Sequence, residues 1–278
     1  MQNNRIWMWG NVLEGRSLDL PGIGRMWCSV ETAARFFGAD NLMVTNDMLV
    51  KGDDQTFWSC LKDAKQLTMQ LTHRPLNDEG TLWDLKYVES ATKIAELSLK
   101  DKRITSVILD DFRDLFGPSK DMTAAELAEV YEAIKRINPN LELQLTRYHW
   151  ENQSDLEDVR DYFDAISYWN MSTSADYWKN DYVREVQMLS KHFKKPVYSG
   201  IYLHDYADCN GGPEGGIMPI ATYKAMLPNV FHALRCGHVK GVMLLFNGWL
   251  TREDHRESLS FVRDYLEYYL GVHTFLER

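Results

Sequence analysis

The sequence predicts an α/β fold, a (β/α)8 TIM barrel formed as one catalytic domain over residues 1–278. Three observations lead there. Short apolar or β-branched runs recur eight times along the chain, and amphipathic helical stretches separate them. No Gly-rich phosphate fingerprint follows the first run; Leu20-Pro-Gly-Ile-Gly24 has glycines in the wrong spacing, which disfavours a doubly wound sheet. Strand–helix alternation implies right-handed parallel crossovers, and eight of them close a barrel.

The expected strands are Arg5–Gly10, Leu42–Thr45, Leu67–Leu71, Ile104–Leu109, Glu142–Thr146, Ala165–Tyr168, Val197–Tyr202 and Val239–Phe246. Helix starts are marked between them. Thr123-Ala-Ala-Glu126 and Ser154-Asp-Leu-Glu157 read as capping boxes, in which a hydroxyl accepts from an orphan N–H and the Glu reaches back. Thr251-Arg-Glu-Asp254 is a looser version, and Gly237 suits the position after a helix end.

Composition narrows the function. A formal charge of −9 argues against nucleic acid or an anionic membrane as partner. No basic stretch followed by an apolar core opens the chain, and no run of about 20 apolar residues occurs, so a cytoplasmic protein is expected. Cys28, Cys60, Cys209 and Cys236 lie far apart without a CxxC and read as free, mostly buried thiols. Neither a metal nor a cofactor is called for, and the oligomeric state is left open.

In such a barrel, chemistry sits just past the C-terminal strand ends. The residues there are Trp9; Asn46 and Asp47; His73; Asp110 and Asp111; Arg147, Tyr148, His149 and Trp150; Trp169 and Asn170; Tyr202, His204 and Asp205; Asn247 and Trp249. Carboxylates, amides and indoles around one rim suit a sugar. Its hydroxyls take polar hydrogen bonds and its C–H face packs on aromatic rings. Trp9, Asn46, Asp47, His73, Arg147, Trp169, Asn170, Tyr202, Asp205, Asn247 and Trp249 are therefore the expected carbohydrate-binding residues. His204-Asp-Tyr-Ala-Asp-Cys-Asn-Gly-Gly-Pro-Glu-Gly-Gly216 has the glycine content of a lid.

The sharpest feature is Val107-Ile-Leu-Asp110-Asp111. In a regular strand the two carboxylates point to opposite faces. A turn at the strand end brings both over the mouth, where two neighbours cannot both ionise easily and one becomes a usable acid. Asp110 and Asp111 are the expected catalytic residues; capping by Asp111, or its pairing with Arg113 or Arg147, is the structural alternative.

A fourth strand ending in Leu109-Asp110-Asp111-Phe112 resembles glycoside hydrolase barrels with an Asp–Asp pair at that place, above all family 84, the O-GlcNAcase type. The resemblance implies an N-acetylhexosaminide whose own 2-acetamido group is the nucleophile. Asp110 would orient and polarise that group, and Asp111 would be the general acid/base. Asn170, Tyr202, Asn247 and Trp249 would hold the sugar. Three other functions compete: a metal-dependent barrel isomerase, aldolase or hydrolase recruiting His73, Asp110, His149 and His204; a non-catalytic sugar-binding barrel; and a rim that docks a protein partner.

Overall fold

The computed structural model describes residues 5–13, 15, 17–20, 24–45, 54–71, 87–114, 119–151, 153–206 and 216–271. Its centre is a closed parallel barrel of eight strands in the order β1-β10-β9-β8-β7-β6-β5-β4. These are β1 (Ile6–Gly10), β4 (Asn41–Val44), β5 (Gln66–Gln70), β6 (Ile104–Leu109), β7 (Glu142–Tyr148), β8 (Ala165–Trp169), β9 (Val197–Tyr202) and β10 (Gly241–Leu245). Each matches an expected strand. Pairing of Trp7 with both Met243 and Asn41 closes the ring.

The strands are apolar on both faces because both faces are covered. Alternation decides which residue goes where. On β1, Trp7 and Trp9 enter the barrel and meet the rings of Tyr198 and Trp169 at 5.5 and 5.3 Å. Ile6 and Met8, fully buried, take the other face, toward the helices. On β9, Tyr198, Gly200 and Tyr202 share the interior register, and a Cβ on Gly200 would stand 2.0 Å from the Trp169 ring. Only glycine lets that indole cross the barrel.

The helical layer comprises α1 (Val30–Phe37), α2 (Asp54–Cys60), α3 (Tyr87–Lys100), α4 (Ala124–Ile137), α5 (Ala175–Asn180), α6 (Tyr182–Phe193), α7 (Ile220–Arg235) and α8 (Arg256–Leu270). The capping box of α4 is complete: Thr123 Oγ1 accepts from Glu126 N at 3.2 Å, and Glu126 Oε2 accepts from Thr123 N at 2.7 Å. Gly237 (φ 76°) follows the end of α7 as expected.

Three expectations change. The segment Gln153–Tyr162 is a 3-10 helix, not an α-helix. Its buried Leu156 and Val159 recur every third residue, the period of that tighter helix. Thr251 caps nothing, because its hydroxyl donates to Gly248 O at 2.7 Å and α8 starts five residues later. The described cysteines are not mostly buried: Cys28 and Cys60 are half-buried and Cys236 is exposed. A short antiparallel pair, β2 (Leu18–Leu20) with β3 (Gly24–Met26), is inserted between β1 and α1. No helix among the described residues is long and apolar enough to cross a membrane.

Candidate active site at the barrel mouth

The interior register of β6 runs through Ser106 and Ile108 to Asp110. Ser106 proves the direction, since its hydroxyl meets Thr68 of β5 inside the barrel at 2.7 Å. Asp110 therefore enters the mouth directly. Three donors converge on it: Gln70 Nε2 to Oδ2 at 3.0 Å, Thr146 Oγ1 to Oδ1 at 3.0 Å, and the Asp111 N–H to Oδ1 at 3.0 Å.

Asp111 would point outward if the strand continued. Instead its backbone turns into the left-handed region (φ 48°), which an aspartate tolerates better than most residues. That turn swings its carboxylate back over the mouth, where Tyr148 donates its hydroxyl to Oδ1. The turn is held from several sides. Ser119 Oγ donates to Asp111 O at 2.9 Å, and Arg113, itself at φ 57°, donates to Met122 O and grips Asp158 with two bonds of 2.8 Å. Two adjacent carboxylates thus end one strand and face one cavity.

Burial, and then the neighbouring Asp111 charge, push the Asp110 carboxyl well above the usual carboxylate range. Burial also raises Asp111, partly offset by the Tyr148 hydrogen bond. A crowded pair of this kind holds a proton between its members. Three donors stabilise charge on Asp110 and one does so on Asp111, while burial and the neighbouring charge oppose it, and the pair shares one proton. All protein bonds to Asp111 among the described residues fall on Oδ1 or the backbone, which leaves Oδ2 for a ligand.

The other expected residues divide. Tyr202 faces the carboxylates: its ring lies 5.1 Å from Trp169 and 5.1 Å from Tyr206, and its hydroxyl feels both aspartates. Trp9, Trp169 and Trp249 are buried and packed. The Trp169 Nε1 donates to Ser167 Oγ at 2.8 Å, and Trp249 stacks on His204 at 3.8 Å. Asn170 is buried in its own turn, with Oδ1 accepting from Ser172 N at 2.7 Å. Asn247 is a rim lock: Oδ1 accepts from Asn11 N, and Nδ2 donates to Asn11 O and Cys28 O. Arg147, between the inward-facing Thr146 and Tyr148, lies on the helix side of β7 and pairs with Glu151 at 3.1 Å. These four groups (the packed tryptophans, Asn170, Asn247 and Arg147) spend their contacts on the protein.

Asp205 bridges Gly216 through two backbone bonds of 2.9 and 3.1 Å, which close the base of the glycine-rich loop. Asn46, Asp47, His73 and most of that loop (207–215) lie outside the described residues. Gln70, Thr146 and Tyr148 were not among the expected binding residues, yet they are the donors that order the pair. Their signal was present: polar residues in the interior register of otherwise apolar strands. Trp150, about half exposed, lies flat on Tyr148 at 4.6 Å and 6°, and Tyr148 in turn bonds Asp111.

No family model matches the sequence, and no curated protein matches it. Among solved structures, a mutant family 5 glycoside hydrolase mannosidase from Rhizomucor miehei is similar, with a TM-score of 0.59 at 11% identity over 89% of this chain and 88% of that one. A putative α-L-fucosidase from Bacteroides thetaiotaomicron gives a TM-score of 0.55 at 10% identity, covering 87% and 84%. The tryptophan synthase α-subunit of Pyrococcus furiosus gives 0.48 at 9% identity, covering 96% and 98%. The first two likenesses establish the barrel fold.

Proposed function

We propose that the protein is a glycoside hydrolase and that the Asp110–Asp111 pair performs the cleavage. The observation that carries the proposal is the pair itself: two raised carboxyls, one buried and triply bonded, the other singly bonded with Oδ2 unbonded among the described residues. Chemistry that needs a fixed anion and a proton donor within one sugar's reach is served by that asymmetry. The Trp150–Tyr148 stack supplies an aromatic face beside the acid, as the C–H face of a pyranose requires. The mannosidase and the fucosidase that share the fold act on sugars by their names, and the analogy extends to this chain in class only.

The mechanism favoured here is substrate-assisted retention on an N-acetylhexosaminide. Asp110, fixed by its three donors, would orient the 2-acetamido group and, as the anion, stabilise the positive charge that develops on its nitrogen. Asp111 would protonate the leaving oxygen and later take a proton from water. A second reading gives part of the work to Glu151. Burial pushes its carboxyl up to about 7, and it sits on the loop after β7 beside Tyr148. In that reading a plain glycoside reacts without an acetamido group.

Hydrolysis of a panel of methylumbelliferyl glycosides by wild type and Asp111→Asn separates the outcomes. Turnover confined to N-acetylated sugars and lost in the variant supports the substrate-assisted route. Turnover of plain glycosides moves the nucleophile onto the protein. A panel and a set of longer glycans that all stay intact would refute the hydrolase.

A further inference from the structure

Three strands round the barrel from β6, the end of β9 carries a second polar constellation that the carboxylate chemistry does not use. Arg252 binds Asp254 with bonds of 3.0 and 2.5 Å. Asp254 Oδ1 lies 2.8 Å from His255 Nδ1, and His255 Nε2 lies 2.8 Å from His204 Nδ1. Both imidazoles are buried. His204 Nε2 is buried too and has no hydrogen-bond partner among the described residues.

The proton positions follow from the ends of this chain. The Arg252 guanidinium holds the Asp254 carboxyl well below its usual range, so Asp254 accepts only. His255 must then donate from Nδ1. Burial lowers both imidazoles, His204 to about 4, so each carries a single proton near neutrality. With its proton on Nδ1, His255 has a lone pair at Nε2 and takes the Nδ1 proton of His204. What is left is a lone pair on His204 Nε2, a buried acceptor with no donor among the described residues.

Contacts set that ring beside the mouth. The Leu203 N–Leu245 O bond is the last of the β9–β10 ladder, the one that pairs Tyr202 with Leu245, and His204 lies in the bend that follows. Its ring is clamped flat on Trp249 at 3.8 Å and 5°, with Tyr206 edge-on at 4.9 Å, and Tyr206 in turn touches Tyr202. A ring fixed on two faces and at one nitrogen holds the other nitrogen in one direction.

We propose that His204 Nε2 is a hydroxyl-accepting position of the barrel mouth, set in its unprotonated form by the Asp254–His255 relay and filled by a hydroxyl of the bound sugar. The sugar's identity as ligand rests on the glycosidase reading; the state of the nitrogen does not. His204 is here a positioning residue, and its partner is a hydroxyl remote from the bond that Asp111 would cleave.

Imidazole nitrogen NMR on the 15N-labelled full chain tests this, with His204→Gln identifying the His204 signals among the eight histidines. The expected result is a protonated Nδ1 and an unprotonated Nε2, the latter moving when D-mannose, L-fucose or N-acetyl-D-glucosamine is added. A protonated Nε2 overturns the proposal, as does an unprotonated one that none of the three sugars moves. Asp254→Asn keeps the half-exposed side chain's shape and removes the anchor of the relay. It should mix the His204 tautomers and weaken the sugar response roughly 3- to 10-fold, the worth of one neutral hydrogen bond. An unchanged spectrum and affinity in that variant would sink the relay. The same titration in Asp111→Asn keeps the two readings apart. A sugar response that persists there stands whether or not the wild type cleaves anything.

Discussion

The two halves of the barrel mouth use opposite chemistry for opposite ends. On the β5–β7 side, polar residues of the interior register point at one another: Gln70 and Thr146 bind Asp110, and Tyr148 binds Asp111. On the β8–β10 and β1 side the register is aromatic, and Trp9, Trp169 and Tyr202 pack ring against ring. From the sequence, the aromatic half looked like the sugar platform. In the structure Trp9, Trp169 and Trp249 are its wall, and the indoles left exposed are Trp27 and, beside Asp111 on the other half, Trp150. An aromatic residue at a strand end is a binding surface only if the packing around it leaves a face uncovered, and three tryptophans here have none to spare.

If the halves differ in this way, their mutations should separate by readout. The largest effect is expected at Asp111. Asp111→Asn should lower kcat/KM on any reactive glycoside about 10²- to 10⁴-fold, the usual worth of a general acid, while thermal unfolding stays close to wild type. A variant that loses fold rather than rate would erase the distinction between the halves. Next, Trp169→Ala should destabilise by about 3–5 kcal/mol, since a wholly buried indole leaves a cavity in the barrel centre; urea unfolding measures it. Gly200→Ala presses on the same indole from the other strand and should cost about 1–3 kcal/mol through overpacking, read as a lowered Tm. Near-wild-type stability in both variants would show that the wall can be remodelled.

Two smaller effects sharpen the acidic half. The Tyr148 hydrogen bond lowers the Asp111 pKa, so Tyr148→Phe should raise it. With Asp111 as the protonated acid, the alkaline limb of the pH–rate profile then moves to higher pH; a limb that stays put removes Asp111 from that role. Glu151 gives a stability signal instead. Its carboxyl is raised from near 4.5 to about 7 in the folded protein, so the folded state holds the proton longer than the unfolded chain. Its contribution to stability is therefore intact below about 4.5 and is lost as pH rises through about 7. Glu151→Gln should flatten that part of the stability–pH curve, measured by denaturant titration across the window.

Much of this is legible in the sequence. The eight apolar runs predicted the eight strands because each barrel strand is buried on both faces and so reads as a continuous apolar stretch. The Thr123–Glu126 box was legible because both of its partners lie within four residues. The β2–β3 pair was not, because strands of three residues carry too little period to detect. The 3-10 segment was misread for a related reason: a capping box announces a helix start but says nothing of its pitch.

Within the site, the sequence by itself determined that two carboxylates end the fourth barrel strand, and that amides, imidazoles and indoles line the rim. Tertiary structure decided the rest. The left-handed turn at Asp111 depends on Ser119, Met122 and Asp158, residues 8 to 47 positions away along the chain. The burial of Trp249 depends on His204, and the saturation of Asn247 on Asn11 and Cys28, more than 200 residues upstream. Which face of a side chain stays open is set by what packs against it. In a closed barrel those neighbours come from strands that meet only when the sheet shuts.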